Sequence, residues 1–300
     1  MRRISIVILL LALGYFSRAC DVCGCTSGTQ FLGVLPFYQK HLLGIRYLHK
    51  SFDIYHPKIF IDDIETNSKD VLTQVDLWYR FQWNTRFQLL TFVPYRSYYQ
   101  KEHTNIFTNS GLGDISILGN VTFLDAYTNN NVRHTLLFGA GIKLPTGANN
   151  TMQNGVLLSQ FKQMGSGSVD IPMQMQWFVR KSNFGLKLEG QYKYNMTNSD
   201  GYKYGNNLSS AADIIFWKES ADWKIIPQIG LAYESVAKDH NNGFPVALTG
   251  VEALYGRASI DMYYRKIGIG ISLQVPISQS QGDGYIVENL RTNARLLYLF

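Results

Sequence analysis

The chain has 300 residues, of which 46% are hydrophobic and 17% charged, and its formal net charge is +6. The basic residues are spread along the chain without a basic helix or run, which argues against a nucleic-acid partner. The mean hydropathy of -0.10 excludes a helical membrane protein. It fits a membrane barrel, in which every second residue faces a polar lumen.

The N-terminus predicts a cleaved signal peptide over residues 1–19. Arg2 and Arg3 precede an apolar run over residues 4–16, which is too short to span a bilayer comfortably. The tripeptide Ser17-Arg18-Ala19 then places small residues at a cleavage site. A lipoprotein signal, with the lipid carried by Cys20, is the competing interpretation.

Residues 20–40 are expected to form a periplasmic segment that contains every cysteine of the chain. Cys20, Cys23 and Cys25 are spaced as C-x-x-C-x-C. Three thiolates this close could bind one soft ion, Cu(I) or Zn²⁺. A disulfide with one thiol left over, or a lipid on Cys20, are the alternatives. No histidine follows the C-x-x-C, so haem attachment is not expected, and no other cofactor is predicted.

From residue 41 onward the sequence alternates with period two, which predicts strands. Between Val169 and Val179, for example, apolar residues alternate with Asp170, Gln174 and Gln176. The predicted strands are 41–55, 70–83, 86–101, 112–127, 132–146, 167–181, 184–198, 203–219, 223–239, 250–265, 267–279 and 288–300. Residues 41–300 are therefore predicted to be all-β, a membrane-spanning antiparallel up-and-down β-barrel of about 12 strands.

Soluble barrels and sandwiches also alternate, so the membrane assignment depends on three further features. The connections alternate between short turns and longer loops, and strands of about a dozen residues suit a tilted span. Aromatic residues lie near strand ends, which suits interfacial girdles: Trp78-Tyr79, Tyr95, Tyr98-Tyr99, Tyr263-Tyr264 and Tyr298. The chain also ends in a strand that closes on Phe300.

These features predict a location in the outer membrane of a Gram-negative bacterium, reached after signal-peptide cleavage. The expected partners are outer-membrane lipid and lipopolysaccharide, the barrel-assembly machinery through Phe300, and a small-molecule solute. No nucleic acid is expected.

No catalytic site is predicted. The sequence contains neither H-E-x-x-H nor G-x-S-x-G. The glycine-rich segments 111–114 and 165–170 are followed by neither a helix nor a Lys-Ser/Thr pair, so they do not form phosphate loops. Glycine at these places would instead permit close strand approach where a loop re-enters the barrel.

The lumen-facing charges are the better functional candidates. They include both signs with bases in excess, and the selectivity candidates are Arg80, Arg96, Asp114, Lys143, Asp170, Arg180, Lys187 and Arg295. If these charges pair across the lumen, they plug it. If they line opposite walls with water between them, they form a pore with mild anion preference.

Several short motifs occur in the order that a known family shows. They are V-P-Y at 93–95, G-L-G-D at 111–114, G-I-K-L-P-T-G at 141–147, G-S-G-S-V-D at 165–170 and the terminal Phe300. The chain thereby resembles outer-membrane barrels grouped with the meta-pathway phenol-degradation transporters, over most of its mature length. The leading C-D-V-C-G-C resembles the N-termini of barrels from the Bacteroidetes. The resemblance implies uptake of small, often hydrophobic molecules.

The predicted function is an outer-membrane channel or transporter for small solutes, working by passive diffusion through a charged lumen. The alternative is a non-conducting structural or metal-handling barrel that uses Cys20, Cys23 and Cys25.

Overall fold

The computed structural model describes residues 41–57, 65–153 and 155–300. The predicted signal peptide and the cysteine-containing segment 20–40 lie outside the described residues. The strands are β1 (Leu42–His56), β2 (Thr66–Gln82), β3 (Phe87–Glu102), β4 (Asn105–Leu112), β5 (Ser116–Tyr127), β6 (Val132–Lys143), β7 (Met152–Gln153), β8 (Val156–Leu157), β9 (Asp170–Lys181), β10 (Phe184–Asn195), β11 (Tyr202–Lys203), β12 (Asn207–Phe216), β13 (Lys218–Glu219), β14 (Trp223–Val236), β15 (His240–Asn241), β16 (Phe244–Pro245), β17 (Val251–Tyr264), β18 (Ile267–Gln281), β19 (Ile286–Glu288) and β20 (Arg291–Leu299). Two short 3₁₀ turns, η1 (Gln160–Lys162) and η2 (Gly282–Gly284), complete the elements.

The main sheet closes on itself. Its 15 segments form a ring of twelve strands. Three strands of the ring each consist of two consecutive segments: β4 with β5, β12 with β13, and β19 with β20. Every pairing is antiparallel, and β1 joins β2 on one side and β20 on the other. The ring of pairings closes through β1 and β20, as a sheet in lipid requires, whereas the segments β4 and β13 each pair on one side only, with β3 and β14. The predicted all-β barrel of about 12 strands is confirmed.

The two ends of the barrel differ as predicted. One end, called here the turn end, carries short connections such as 182–183 and 265–266, together with the first and last barrel residues Leu42 and Leu299. The other, the loop end, carries the long connections 144–169 and 237–250.

One predicted loop is wrong. The sequence analysis placed a loop between residues 101 and 112, but Asn105–Leu112 is a strand that pairs with β3 after a two-residue turn. Pairing with β3 is then interrupted at 113–115, opposite Pro94, and resumes with β5. Proline lacks the N–H that a continuous ladder would use, so the break falls where pairing is weakest.

The outer surface is a belt of apolar side chains. On β18, the residues Ile267, Ile269, Ile271, Leu273 and Val275 are between 44% and 55% exposed. The alternate positions on the same strand hold small or polar residues that face inward. Apolar-out and polar-in alternation is the reverse of a soluble barrel and matches a barrel surrounded by lipid. Among the described residues, no helix is both long and apolar enough to span a membrane.

We expect Ile271→Arg to lower the free energy of unfolding in lipid vesicles by about 2–4 kcal/mol, because a cation on the lipid face near mid-strand must leave water. The matched control is Ser220→Arg at an exposed residue of the turn end. Denaturant unfolding of both variants checks this, and equal stabilities would argue that this face is not in contact with lipid.

Three of the aromatics assigned to girdles face the interior instead. Trp78, Tyr98 and Tyr263 are buried, whereas their chain neighbours Tyr79 and Tyr264 face outward. Successive side chains point to opposite faces of a strand, so adjacent aromatics cannot both lie in the girdle. Outward ring pairs do occur at the turn end, as between Trp223 and Tyr264, whose centroids are 4.7 Å apart.

Near the turn end, inward-facing apolar side chains pack against one another and form a cluster that we call the apolar floor. Its members are Leu42, Trp78, Leu90, Phe92, Leu118, Phe178, Ile215, Trp217, Ile226, Tyr263, Leu297 and Leu299. Glycine makes room for the largest rings: a Cβ on Gly44 would lie 2.5 Å from the Trp78 ring, and a Cβ on Gly268 2.6 Å from the Tyr263 ring.

Candidate functional site

A layer of buried charged side chains lies next to the apolar floor, on its loop-end side. On adjacent strands, Arg46 Nε donates to Asp76 Oδ2 at 2.7 Å, and Gln74 Nε2 donates to Asp76 Oδ1 at 2.7 Å. Ionised side chains this deep are stable only when they are paired and hydrogen-bonded. At this level the interior of the barrel is therefore an ionic layer rather than an apolar core.

Glycines let polar side chains meet over an intervening strand. Arg295 on β20 donates through Nε to Asp261 Oδ1 on β17 at 2.9 Å, although β18 lies between them. Gly270 occupies the crossing point, and a Cβ there would lie 2.8 Å from Arg295 Cγ.

Two other pairs of side chains meet over a glycine of an intervening strand in the same way. Asp213 on β12 meets Arg257 on β17 over Gly230 of β14. Asn120 on β5 accepts from Gln174 of β9 at 2.7 Å over Gly139 of β6.

The second half of the charged layer contains four side chains, called here the quartet: Lys187, Glu189, Asp213 and Arg257. Lys187 Nζ lies 3.3 Å from Glu189 and 3.2 Å from Asp213. Arg257 lies 3.0 Å from Asp213 and 3.5 Å from Glu189. The quartet carries two charges of each sign and is almost fully buried.

Three motifs that are distant in sequence converge near the loop end. Asp114, from the G-L-G-D motif, accepts hydrogen bonds from Lys143 Nζ at 2.6 Å, from Gly147 N at 3.0 Å and from Ser166 N at 2.9 Å. Lys143 Nζ also lies 2.7 Å from Asp170. The predicted candidates Asp114, Lys143 and Asp170 therefore share one buried cluster, which we call the anchor.

The anchor holds the two ends of an inner loop, of which the structure describes residues 144–153 and 155–169. Its returning part, around η1, folds back into the barrel. Gly147 and Gly165 touch where the loop enters and leaves, and a Cβ on Gly147 would lie 2.8 Å from Gly165 Cα. Only glycine leaves room for this approach, so the close contact expected of the glycines at 165–170 is present at Gly165, while its partner Gly147 was not predicted for this role.

The returning part of the inner loop, around η1, is packed inside the barrel, whereas β7 and β8 at the middle of the loop are exposed. Phe161 lies edge-on to Tyr98 with ring centroids 5.0 Å apart, and Met164 is buried in the same apolar cluster. Arg96 Nη1 donates to the Met164 carbonyl at 3.0 Å, and Lys162 Nζ donates to Gln100 at 2.8 Å.

A cavity of about 130 Å³ lies between the inner loop and the apolar floor. Its lining combines floor residues such as Phe92 and Leu118 with charges from the layer and the anchor, including Arg46, Asp76, Arg96 and Lys143. An apolar cavity of similar size holds benzene, so the space suits a small organic molecule or a few waters.

The remaining sequence candidates lie elsewhere. Arg80 is buried on β2 on the turn-end side of Trp78, at the level of the floor residues Leu42 and Leu90. Arg180 lies at the turn end, where its guanidinium is 4.3 Å from the centre of the Trp217 ring. The structure thus divides the eight candidates among the charged layer, the floor, the anchor with the inner loop, and the turn end. The selectivity roles given to them stay predictions.

Sequence reasoning missed a cluster near the loop end of β20. Arg291 donates to Glu288 Oε1 at 2.7 Å and to Glu234 Oε2 at 3.0 Å, and Tyr255 Oη donates to Glu288 at 2.8 Å. Little in the sequence indicated this cluster, because Glu288 was predicted to begin a continuous strand. In the structure that strand is interrupted at 289–290.

At the loop end, the buried carboxylate of Asp239 accepts hydrogen bonds from a neighbouring segment. Tyr202 Oη and Gly205 N donate to Asp239 at 2.5 Å and 2.7 Å. Burial raises the pKa of Asp239, and these hydrogen bonds oppose the shift. On the exposed side, a hydrogen bond from Lys238 lowers the pKa of Asp283.

Within the described ranges, no group of three or more His, Cys, Asp or Glu side chains could hold a metal ion. Cys20, Cys23 and Cys25, the predicted metal ligands, lie outside those ranges.

The comparisons with known proteins give a likeness of fold. No protein-family model matches the chain, and no curated protein matches it. The barrel is similar to the COG4313 outer membrane channel from Pseudomonas putida F1, with a TM-score of 0.63 and 14% sequence identity over 89% of this chain and 97% of that chain. A TM-score of 0.49 at 8% identity relates it to the beta domain of the Bordetella autotransporter BrkA, over 87% of this chain and 100% of that domain.

The fold is that of an outer-membrane β-barrel. At 14% identity the first likeness concerns the fold alone, and function must be argued from the lumen.

Proposed function

We propose that the chain is a narrow outer-membrane channel that passes small solutes by passive diffusion through its charged lumen. The cavity beneath the inner loop carries the proposal, because it places Arg46, Arg96 and Lys143 beside Asp76 and Asp114 in one space inside a lipid-facing barrel. Such a lining replaces part of the hydration shell of a polar solute, which lowers the barrier to its entry.

The proposal extends to the setting of the barrel. The location is the outer membrane of a Gram-negative bacterium after removal of residues 1–19, with lipid and lipopolysaccharide against the apolar belt. Phe300 is exposed at the end of the last strand, where assembly machinery could bind it. Membership of the phenol-pathway transporter-like barrels, of the Bacteroidetes type, is part of the same proposal, and the shared fold with an outer membrane channel supports it.

Liposome swelling tests the channel directly. Vesicles containing the refolded protein should swell in isosmotic solutions of small solutes the size of glycine and should not swell with disaccharides, because the cavity of about 130 Å³ admits only small molecules. Swelling no faster than that of protein-free vesicles, at equal amounts of folded barrel, would contradict the proposal.

A second candidate, a non-conducting barrel, has its own support. Arg46 and Arg295 form short charge-assisted bonds to Asp76 and Asp261 inside the lumen, and the apolar floor lies below them. Paired charges above a dry apolar layer oppose the passage of hydrated solutes. Swelling separates the two candidates, because only the channel predicts uptake.

The metal-handling form of this alternative depends on the N-terminal cysteines. Intact-mass analysis of the mature protein distinguishes the states of Cys20, Cys23 and Cys25: a lipid adduct, the loss of two hydrogen atoms for a disulfide, or three reduced thiols. Only reduced thiols could bind added Cu(I) or Zn²⁺, since the thiolate is the metal ligand.

A further inference from the structure

Three neighbouring connections at the turn end are rich in basic residues. They join β9 to β10, β13 to β14, and β17 to β18, and these strands follow one another around the ring. Residues 180–184, 217–224 and 264–267 contain six cations and two carboxylates. On the other side of the barrel, the connections 83–86 and 128–131 contain one cation, Arg86, and no carboxylate. The positive charge of the turn end is therefore concentrated on one side.

Ion pairs within this region leave an excess of positive charge. Glu219 lies 3.8 Å from Arg180 and 3.6 Å from Lys224, and Asp222 lies 3.2 Å from Arg265. Three exposed lysines remain, which make no ion pair with another residue that the structure describes and which we call the basic rim: Lys181, Lys218 and Lys266. A surface with an excess of one sign of charge attracts ligands of the opposite sign.

Exposed aromatic rings lie beside the basic rim. Phe184 and Phe216 are register partners with ring centroids 5.2 Å apart, and Trp223 and Tyr264 are register partners with centroids 4.7 Å apart. All four side chains are exposed on the outer surface, at the turn-end edge of the apolar belt. Aromatic residues at such an edge mark the interface between the lipid and water.

The lysines of the basic rim lie at the depth of lipid headgroups. Lys181 is the register partner of Phe184, and Lys218 follows Phe216 by two positions along the chain. Two positions of an extended chain span about 7 Å. The headgroup region reaches roughly 5–8 Å beyond the hydrocarbon on each side of a bilayer. The flexible stem of a lysine lets its ammonium group adjust to this depth.

We propose that the basic rim and the four rings bind anionic phospholipid in the leaflet at the turn end. The headgroup phosphates face the three lysines, and the acyl chains lie against the rings and continue the contact that the apolar belt makes. This rests on the outer-membrane location given under the proposed function and not on conduction. An acidic soluble protein would match only the charge, so the exposed rings favour a lipid.

Native mass spectrometry of the folded barrel in detergent tests the preference. The protein is titrated with phosphatidylglycerol and with phosphatidylcholine that carry identical acyl chains, and it should bind the anionic lipid more tightly. A lysine near an anionic bilayer contributes about a fivefold preference. Replacing all three lysines by glutamine should therefore lower the ratio of the two affinities by at least about tenfold.

A matched control removes the same charge outside the basic rim. It combines Lys69→Gln and Lys101→Gln, at exposed positions of β2 and β3 near the loop end, with Arg86→Gln at the other side of the turn end. This variant should keep the preference of the unmodified protein. Heat-dependent gel mobility confirms that each barrel is folded before the titration.

A soluble acidic peptide, hexaglutamate, separates a lipid surface from a site for an acidic protein. The peptide carries negative charge without acyl chains, so it should displace little phosphatidylglycerol at equal charge concentration. A preference lost only in the variant without the three lysines supports the proposal. Equal affinities of the unmodified protein for the two lipids, an equal loss in the control variant, or displacement by hexaglutamate overturns it. A barrel that passes no solute but shows this preference would contradict the channel function and support the lipid surface.

Discussion

Asp114→Ala is expected to release the inner loop from the barrel interior. Alanine removes the acceptor of four donors at once, namely Lys143 Nζ, Gly147 N and both N and Oγ of Ser166. It also leaves Lys143 with a single carboxylate neighbour, Asp170. Removing one partner of a buried ion pair costs about 3–5 kcal/mol. A change of this size raises the population of the released loop roughly a hundred- to several-thousandfold.

Limited proteolysis in detergent measures the release. Lys162 is tied to Gln100 in the closed loop, so trypsin should cut the unmodified chain slowly after this residue. In the Asp114→Ala variant, a fragment ending at Lys162 should accumulate quickly while the barrel remains folded. Asp283→Ala, which removes an exposed carboxylate paired with Lys238, is the control. Equal cleavage rates in all three proteins would show that Asp114 does not hold the loop.

Gly270→Ala is expected to lower the free energy of unfolding by about 3–5 kcal/mol, the range for breaking a buried ion pair. The φ angle of Gly270 is not positive, so the constraint is one of space and not of backbone conformation. A methyl group at this position would overlap both Arg295 and Asp261, which meet over it. Overpacking adds to the loss because neither side chain can move without breaking the pair.

Gly190→Ala supplies the control for this experiment. A Cβ at Gly190 meets no atom within 4 Å, and the residue lies on another barrel strand, β10. Its stability should equal that of the unmodified barrel within about 0.5 kcal/mol. Guanidinium unfolding followed by tryptophan fluorescence compares the two variants, and similar midpoints for both would mean that the Arg295 and Asp261 pair contributes little.

The barrel could be predicted because its signal is local. The alternation around Val169 to Val179 and along β18 depends only on which residues face lipid, and lipid imposes the same rule on every wall. The strand Asn105–Leu112 was missed because polar and apolar residues are mixed along it and its side chains are at least partly exposed. Its sequence therefore shows no clear alternation of period two. The inward position of Trp78 was available from the alternation with Tyr79, but the expectation of a girdle obscured it.

The interior could be predicted only in part. Alternation identified Asp170, Lys187 and Arg295 as lumen-facing, because the face to which a side chain points is a local property of a strand. The anchor joins Asp114 to Ser166 over 52 positions, and the pair over Gly270 joins residues 34 positions apart. Such contacts follow from register and closure, which no single segment encodes. The motifs at 111–114, 141–147 and 165–170 indicated the glycine contacts but not that all three meet at one carboxylate.

Single-channel recording in planar bilayers tests the central claim that this lumen conducts small solutes. We would record the mature protein with and without residues 20–40, after confirming by heat-dependent gel mobility that each barrel is folded. We predict steady openings of small conductance that do not require the cysteines. Folded protein that produces no openings in either form would contradict the channel account and leave the ion-paired lumen as a structural core.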